Sequence, residues 1–248
     1  MTMRWKCVCS YDGGSFHGWQ SQANARGVQD AIEEGLAAIL GTPVRIHGSG
    51  RTDTGVHALG QVFHFDADWR HGGDRLLAAL RTRLPKSILV KSAVVAPPDF
   101  HARYDVLGKR YHYRIIVGPA EPHEVATCLS VRGPLELELM KETASMLIGR
   151  HDFAPFSAGN GDVVEDSTKD LRRLRITRHG RRLRITLEAS GFLYHMARGI
   201  VGGLLSVGVK RLDPDDVRRV LESGIRVPRI ETAPAHGLFL EKVFYASR

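Results

Sequence analysis

A mixed α/β fold of the α+β class is what this sequence predicts. Some stretches alternate apolar and polar residues with the period of a strand, others space apolar residues as one face of a helix, and both kinds recur in each half of the chain. Trp5 to Tyr11 reads as a strand. Val28, Ile32, Leu36 and Ile39 then share a helical face, which Gly41 closes. Val44 to His47 and Val62 to Phe65 read as strands, and a helix from about Gly73 to Arg83 stops before Pro85. Ile88 to Val95 is a further strand, ended by the break at Pro97-Pro98.

The second half repeats the mixture. A strand from Arg110 to Val117 precedes an amphipathic helix over Leu135 to Ile148, which Gly149 ends. A hairpin turns at His179-Gly180, and after it Leu183, Ile185 and Leu187 alternate with polar residues. Leu193 to Leu205 and Pro214 to Leu221 read as helices, and Leu238 to Phe244 as a closing strand. Two halves of similar make-up predict a large central sheet with helices packed on it, and suggest a duplicated unit.

Composition narrows the function classes. The 248 residues are 43% hydrophobic and 25% charged, which is globular rather than disordered composition. A formal net charge of +8 points to a polyanionic partner, with a merely basic soluble protein as the plain alternative. Three cysteines cannot all pair within the chain, and Cys7 and Cys9 share a strand face with no ligand partner beside them, which fits a reducing cytoplasm without a zinc site. The N-terminus lacks an apolar signal core, and the longest apolar stretch, Gly199 to Val209, is too short to cross a bilayer. A cytoplasmic protein with no membrane association is expected.

Between the predicted strands lies Gly48-Ser49-Gly50-Arg51-Thr52-Asp53-Thr54-Gly55. It is no phosphate cradle: no Gly-Lys-Ser/Thr follows, and Asp53 stands where a dinucleotide loop has its third glycine. Two readings stay open, a carboxylate presented to a substrate or an aspartate that orders its own turn. His57 follows four residues later, but no further ligand cluster accompanies it, so a packing histidine is favoured over a metal pair or a nucleophile's base. A metal-dependent hydrolase built on Asp53 and His57 is the weakest reading.

Lys109-Arg110-Tyr111-His112-Tyr113-Arg114 interleaves cations with aromatics, placing Tyr111 and Tyr113 on one strand face and Arg110, His112 and Arg114 on the other. That is a stacking platform for unpaired bases or a solvated strand over two core tyrosines. The seven arginines from Arg172 to Arg184 read as an exposed, solubilising hairpin face that is compatible with phosphate contact. Arg198 is a charge in an apolar helix, and either faces solvent or takes a carboxylate partner, for which Asp53 is a candidate.

Gly50-Arg51-Thr52-Asp53-Thr54-Gly55-Val56-His57-Ala58 resembles the signature loop of the TruA family of bacterial tRNA pseudouridine synthases. The resemblance continues in order through Tyr11-Asp12-Gly13, Phe16-His17-Gly18-Trp19-Gln20, Phe100-His101-Ala102-Arg103, Lys109-Arg110-Tyr111-His112-Tyr113, Asp152-Phe153, Phe192-Leu193-Tyr194-His195-Met196-Ala197-Arg198 and Gly237-Leu238-Phe239-Leu240. It implies two lobes, 1–105 and 106–248, each a mixed, mainly antiparallel sheet with helices packed on it, meeting at a basic cleft. It implies a homodimer that isomerises uridine to pseudouridine in the anticodon arm of tRNA, at roughly positions 38 to 40, with no cofactor and no metal. By the same resemblance Asp53 is the catalytic aspartate, Arg51 helps expel the uridine from its stack, Tyr111 contacts the target base, and Arg198 is an ion partner of the aspartate. Whether Asp53 acts as nucleophile or base stays open. A non-catalytic RNA-binding protein is the alternative. One position departs from the pattern: Gly199 follows Arg198 where the family often carries Asn, which removes a side-chain hydrogen bond and weakens the helix by up to about 1 kcal/mol relative to alanine.

Overall fold

The computed structural model describes residues 2–22, 25–158 and 166–246. The fold is of the α+β class. Along the chain run β1 (Met3–Tyr11), α1 (Val28–Leu40), β2 (His47–Gly48), β3 (His57–Ala67), α2 (Gly72–Arg83) and β4 (Ile88–Ala96). Then come β5 (Gly108–Val117), β6 (Leu129–Val131), α3 (Leu137–Met146), β7 (Gly149–Asp152), β8 (Thr168–His179) and β9 (Arg182–Ala189). The helices α4 (Met196–Gly208) and α5 (Pro214–Ser223) precede the last strand, β10 (Leu238–Phe244). The chain divides into two compact units, one of Met1–Leu107 with Phe239–Arg248 and one of Gly108–Leu238.

In the first unit β1 is central, antiparallel to both β3 and β4. Its alternation is read directly from the burial: Trp5, Cys7, Cys9 and Tyr11 all lie in the core. The other edge of β3 is shared. The short β2 pairs antiparallel with its far end at His64 and Phe63, while β10 runs parallel to its start, Phe239 opposite His57. The loop from β2 back to β3 therefore begins beside the second half of β3 and must return to its first residue. Helix α1 packs Val28, Ile32 and Leu36 into the core, and α2 adds Leu76 and Leu80. The start of α1 is fixed by the Asp30 carboxylate, which accepts from the Gly27 amide at 2.7 Å, and its end by Gly41 in the left-handed region at φ 74.

The second unit is built on an antiparallel run in the order β5, β9, β8, β7, with β6 parallel to β5. Across it Tyr111, Leu187 and Leu174 form one rung, and Tyr113, Ile185 and Ile176 the next, so the apolar face continues over three strands. Helix α4 is buried on nearly all sides and carries glycines at 199, 202, 203 and 208. Two of those glycines let backbone meet backbone, while Gly203 and Gly208 make room for side chains. A Cβ on Gly199 would collide with the carbonyl oxygen of Phe156, and one on Gly202 with that of Glu231.

Three predicted elements differ from the structure. The strand expected over Val44 to His47 is instead the two-residue β2, because among the described residues only His47 and Gly48 enter the ladder, opposite His64 and Phe63 of β3. The helix expected over Leu135 to Ile148 is confined to Leu137–Met146, and Gly149, expected as its cap, opens β7 at φ 120. Helix α4 starts at Met196 rather than Leu193, because His195 takes the left-handed conformation at φ 61, which a continuing right-handed helix excludes. No helix among the described residues is long and apolar enough to cross a membrane.

Candidate active site

The loop that carries Asp53 is held by buried side chains that come from outside it. Gln61, on β3 and fully buried, reaches back with both ends of its amide. Its Oε1 accepts from the Ser49 hydroxyl at 2.6 Å, and its Nε2 donates to the Gly50 carbonyl at 3.0 Å. The Ser49 amide also donates to the Val62 carbonyl at 2.8 Å. Two residues on, Thr52 is buried, and its hydroxyl lies 2.8 Å from that of Tyr11 at the end of β1. The Trp19 amide donates to the Thr52 carbonyl at 3.1 Å. Gly18, at φ 83, makes that approach possible, since a Cβ there would come within 2.6 Å of the same carbonyl oxygen. Beyond Asp53 the turn closes with the Val56 amide donating to the Asp53 backbone carbonyl at 3.1 Å.

The consequence is an alternation along the loop. Ser49, Thr52 and Val56 point into the unit and are locked there, while Arg51 is exposed and Asp53 is only half-buried. The Tyr11 and Gly18-Trp19 blocks, read in the sequence only as parts of a pattern, are thus the scaffold of this loop. Gln61 was not singled out there, although a polar amide between the apolar Leu59 and Val62 of the strand is the available signal.

His57 is buried at the start of β3 and stacks on Phe239 with ring centroids 4.5 Å apart. Its Nδ1 lies 3.1 Å from the Gly13 amide and 3.1 Å from Asp12 Oδ1. As an acceptor it ties the Gly13 turn to β3; as a donor, when protonated, it pairs with Asp12. These contacts place His57 in the packing between β3, the Gly13 turn and Phe239. No group of three or more His, Cys, Asp and Glu side chains arranged to hold a metal ion occurs among the described residues.

In the second unit the two tyrosines of β5 take different places. Tyr113 is fully buried: its hydroxyl donates to the Pro234 carbonyl at 2.7 Å, its ring sits where a side chain on Gly237 would be, and burial pushes its ionisation upward. Tyr111 keeps 7% of its surface, and its ring meets Phe192 edge-on at 4.9 Å. Arg198, in the first turn of α4, donates from Nε to the Ala233 carbonyl at 2.7 Å, and the Ala233 amide returns a bond to the Arg198 carbonyl at 3.1 Å. A backbone carbonyl thus orients the guanidinium within this unit. Gly199 belongs to the same arrangement, since it brings α4 onto the backbone of Phe156.

The arginine-rich hairpin is exposed at Arg172, Arg173, Arg175, Arg178, Arg182 and Arg184. Part of its charge is matched locally, by Glu124 on Arg182 at 2.7 Å and Asp170 on Arg172 at 3.0 Å.

Sequence comparison settles the family. The tRNA pseudouridine synthase family model matches residues 8–105 and 143–246. The chain is 38% identical to tRNA pseudouridine synthase A of Acetivibrio thermocellus, over 97% of this chain and 98% of that protein. It is 40% identical to the protein of that name from Streptococcus gordonii, over 98% of each, and 41% identical to that of Bacillus subtilis, over 98% of this chain and 99% of the relative. The chain belongs to the tRNA pseudouridine synthase family.

Pseudouridine synthases are isomerases, so an enzyme is favoured over the non-catalytic RNA-binding alternative. The matched segments of this family member contain Arg51, Asp53 and Arg198. Tyr111 falls between them, inside the stretch that the full-length relatives nonetheless cover.

Proposed function

We propose that this enzyme isomerises uridine to pseudouridine in the anticodon arm of tRNA, at roughly positions 38 to 40, with Asp53 as its catalytic carboxylate. The observation that carries the assignment of Asp53 is its mounting. The buried Ser49 and Thr52 of its loop are anchored by side-chain hydrogen bonds, while the loop's two charged residues are Arg51, exposed, and Asp53, half-buried. A group held within a fraction of an ångström of one position is what an intramolecular rearrangement needs.

The reaction adds and removes nothing overall. The bond from C1′ to N1 breaks, the uracil turns, a bond from C1′ to C5 forms, and the proton lost from C5 is balanced by one gained at N1. One ionised carboxylate suffices to start this, either by attacking C1′ or by taking a proton that begins elimination of the base. Arg51 is suited to enter the stack as the uridine leaves it, at a cost of a few kcal/mol that its contacts offset. Tyr111 contacts the extruded base, and Arg198, its guanidinium oriented by Ala233, favours the charged form of the carboxylate. The net charge of +8 suits a phosphate-rich substrate, and the enzyme works in the cytoplasm as a homodimer without metal or cofactor.

The test is to incubate the purified protein with prefolded, unmodified tRNA transcripts in the presence of chelator and map pseudouridine at every uridine. Product confined to the anticodon arm is expected. Product elsewhere in the tRNA, or none until metal is restored, would contradict the proposal.

A further inference from the structure

One strained residue in the second unit stands three positions before Arg198 and has none of the proposed roles. Among the described residues only His195 and Lys210 are non-glycine residues with positive φ, and His195, at φ 61, stands immediately before α4. Such a conformation persists only where its surroundings impose it. Here they do: the Met196 amide donates to the Leu193 carbonyl at 3.1 Å, the Gly199 amide to the His195 carbonyl at 2.8 Å, and the Ala158 amide to the Tyr194 carbonyl at 3.1 Å. The result is that Tyr194 is turned outward, 41% exposed, with its ring lying on the His195 imidazole at 3.9 Å and 22°. Two residues earlier Phe192 supports Tyr111. The segment that braces Tyr111 therefore also presents a two-ring stack to solvent.

A lone exposed tyrosine needs no explanation, but a stacked one displayed by a strained turn does. We propose that Tyr194, backed by His195, is a stacking platform for an unpaired base of the substrate RNA, at a nucleotide neighbouring the uridine that is isomerised. The proposal rests on the tRNA-modifying reading above. Taking the target uridine out of its stack deprives its neighbours of a partner, and an aromatic ring replaces that partner whatever the base. Backing by His195 leaves the tyrosine ring little freedom to lose on binding.

The experiment is a double-mutant cycle. Tyr194→Ala, Tyr194→Leu and Tyr194→Phe are assayed for tRNA affinity and single-turnover rate on intact transcripts and on transcripts with an abasic ribose at each nucleotide flanking the target. Intact tRNA should bind the Ala and Leu variants about tenfold more weakly and the Phe variant as tightly as wild type. At one flanking position the abasic ribose should weaken wild-type binding about tenfold and cost the Ala variant nothing further. The Leu variant keeps the side-chain bulk should the Ala variant melt early. Additive losses at every position, or wild-type affinity in both the Ala and Leu variants, would overturn the platform. Wild-type turnover on intact tRNA is read alongside: an inactive wild type would undo the functional reading itself, whereas an active one with additive losses would undo only the platform.

Discussion

The loop that carries Asp53 is held by buried side chains, whereas the segment that carries Arg198 is held by the absence of them. In the first, Gln61, Ser49, Thr52 and Tyr11 make side-chain hydrogen bonds inside the unit, and the backbone between them follows. In the second, Gly199 and Gly202 let α4 approach the backbone of Phe156 and Glu231, and Arg198 bonds a carbonyl. The two solutions fail in different ways. Removing a polar partner from the loop leaves a buried group unsatisfied and the fold otherwise intact, while adding one carbon to α4 forces two pieces of backbone apart.

The largest effect is expected from Gly199→Ala. Helix propensity alone predicts a gain of up to about 1 kcal/mol. The collision with the Phe156 carbonyl predicts a loss of about 3 kcal/mol, or roughly 6–12 °C in melting temperature. Thermal melting decides the sign. A more stable variant would show that the close approach at Gly199 does not hold α4, and the contrast drawn above would collapse.

Gln61→Leu should do less to the fold and more to the chemistry. It leaves the Ser49 hydroxyl and the Gly50 carbonyl without their partner, at a cost of about 2 kcal/mol. Freed by that loss, Asp53 should drift, and kcat should fall by roughly 10- to 100-fold with tRNA affinity little changed. Steady-state kinetics with a binding assay separates the two. An unchanged kcat in a folded variant would mean that the loop's anchoring serves stability alone.

A smaller, pH-dependent effect is expected at His64 in the first unit. His64 is buried and accepts from the Ala102 amide at 3.1 Å, with His47 stacked on it and His101 edge-on at 4.6 Å. Burial first, then His101, Arg4 and His47, lower its ionisation to about 4, against a lesser opposing pull from Asp66. The unfolded chain takes up this proton near its ordinary value of 6.5, so stability should be full above that pH and decline as pH falls towards 4. His64→Asn keeps an acceptor and removes the titration. Its melting temperature should vary less than that of wild type between pH 7 and pH 4.5, and equal slopes would assign the acid sensitivity to other groups.

Much of this was readable from the residues. Strand β1 announces itself because Trp5, Cys7, Cys9 and Tyr11 alternate with half-buried neighbours, and α1 because its apolar stripe ends at a glycine that can adopt φ 74. Strands β6 and β7 were not foreseen, since three- and four-residue strands owe their pairing to backbone bonds that leave no periodic trace. The late start of α4 was hidden for a similar reason: nothing in Tyr194-His195-Met196 marks His195 as left-handed, and only its surroundings impose it. At the candidate site the motif singled out Asp53 and Arg51, but Tyr11 lies far off in sequence, and the anchoring becomes visible only when β1 and β3 bring Tyr11 and Gln61 to the loop. Gly199 looked like a weakness of its helix until Phe156 was seen against it.

If Asp53 starts the reaction, Asp53→Asn should abolish it, because the amide keeps the shape of the side chain while removing its charge and nucleophilic oxygen. Pseudouridine is measured in a single turnover with enzyme in excess over tRNA, beside thermal melting and tRNA binding of both proteins. That role of Asp53 predicts no product, a melting temperature close to that of wild type, and an affinity within about tenfold, or roughly 1.4 kcal/mol. Appreciable product from a well-folded Asp53→Asn protein would contradict it, and would leave Asp53 as a residue that merely orders its own turn.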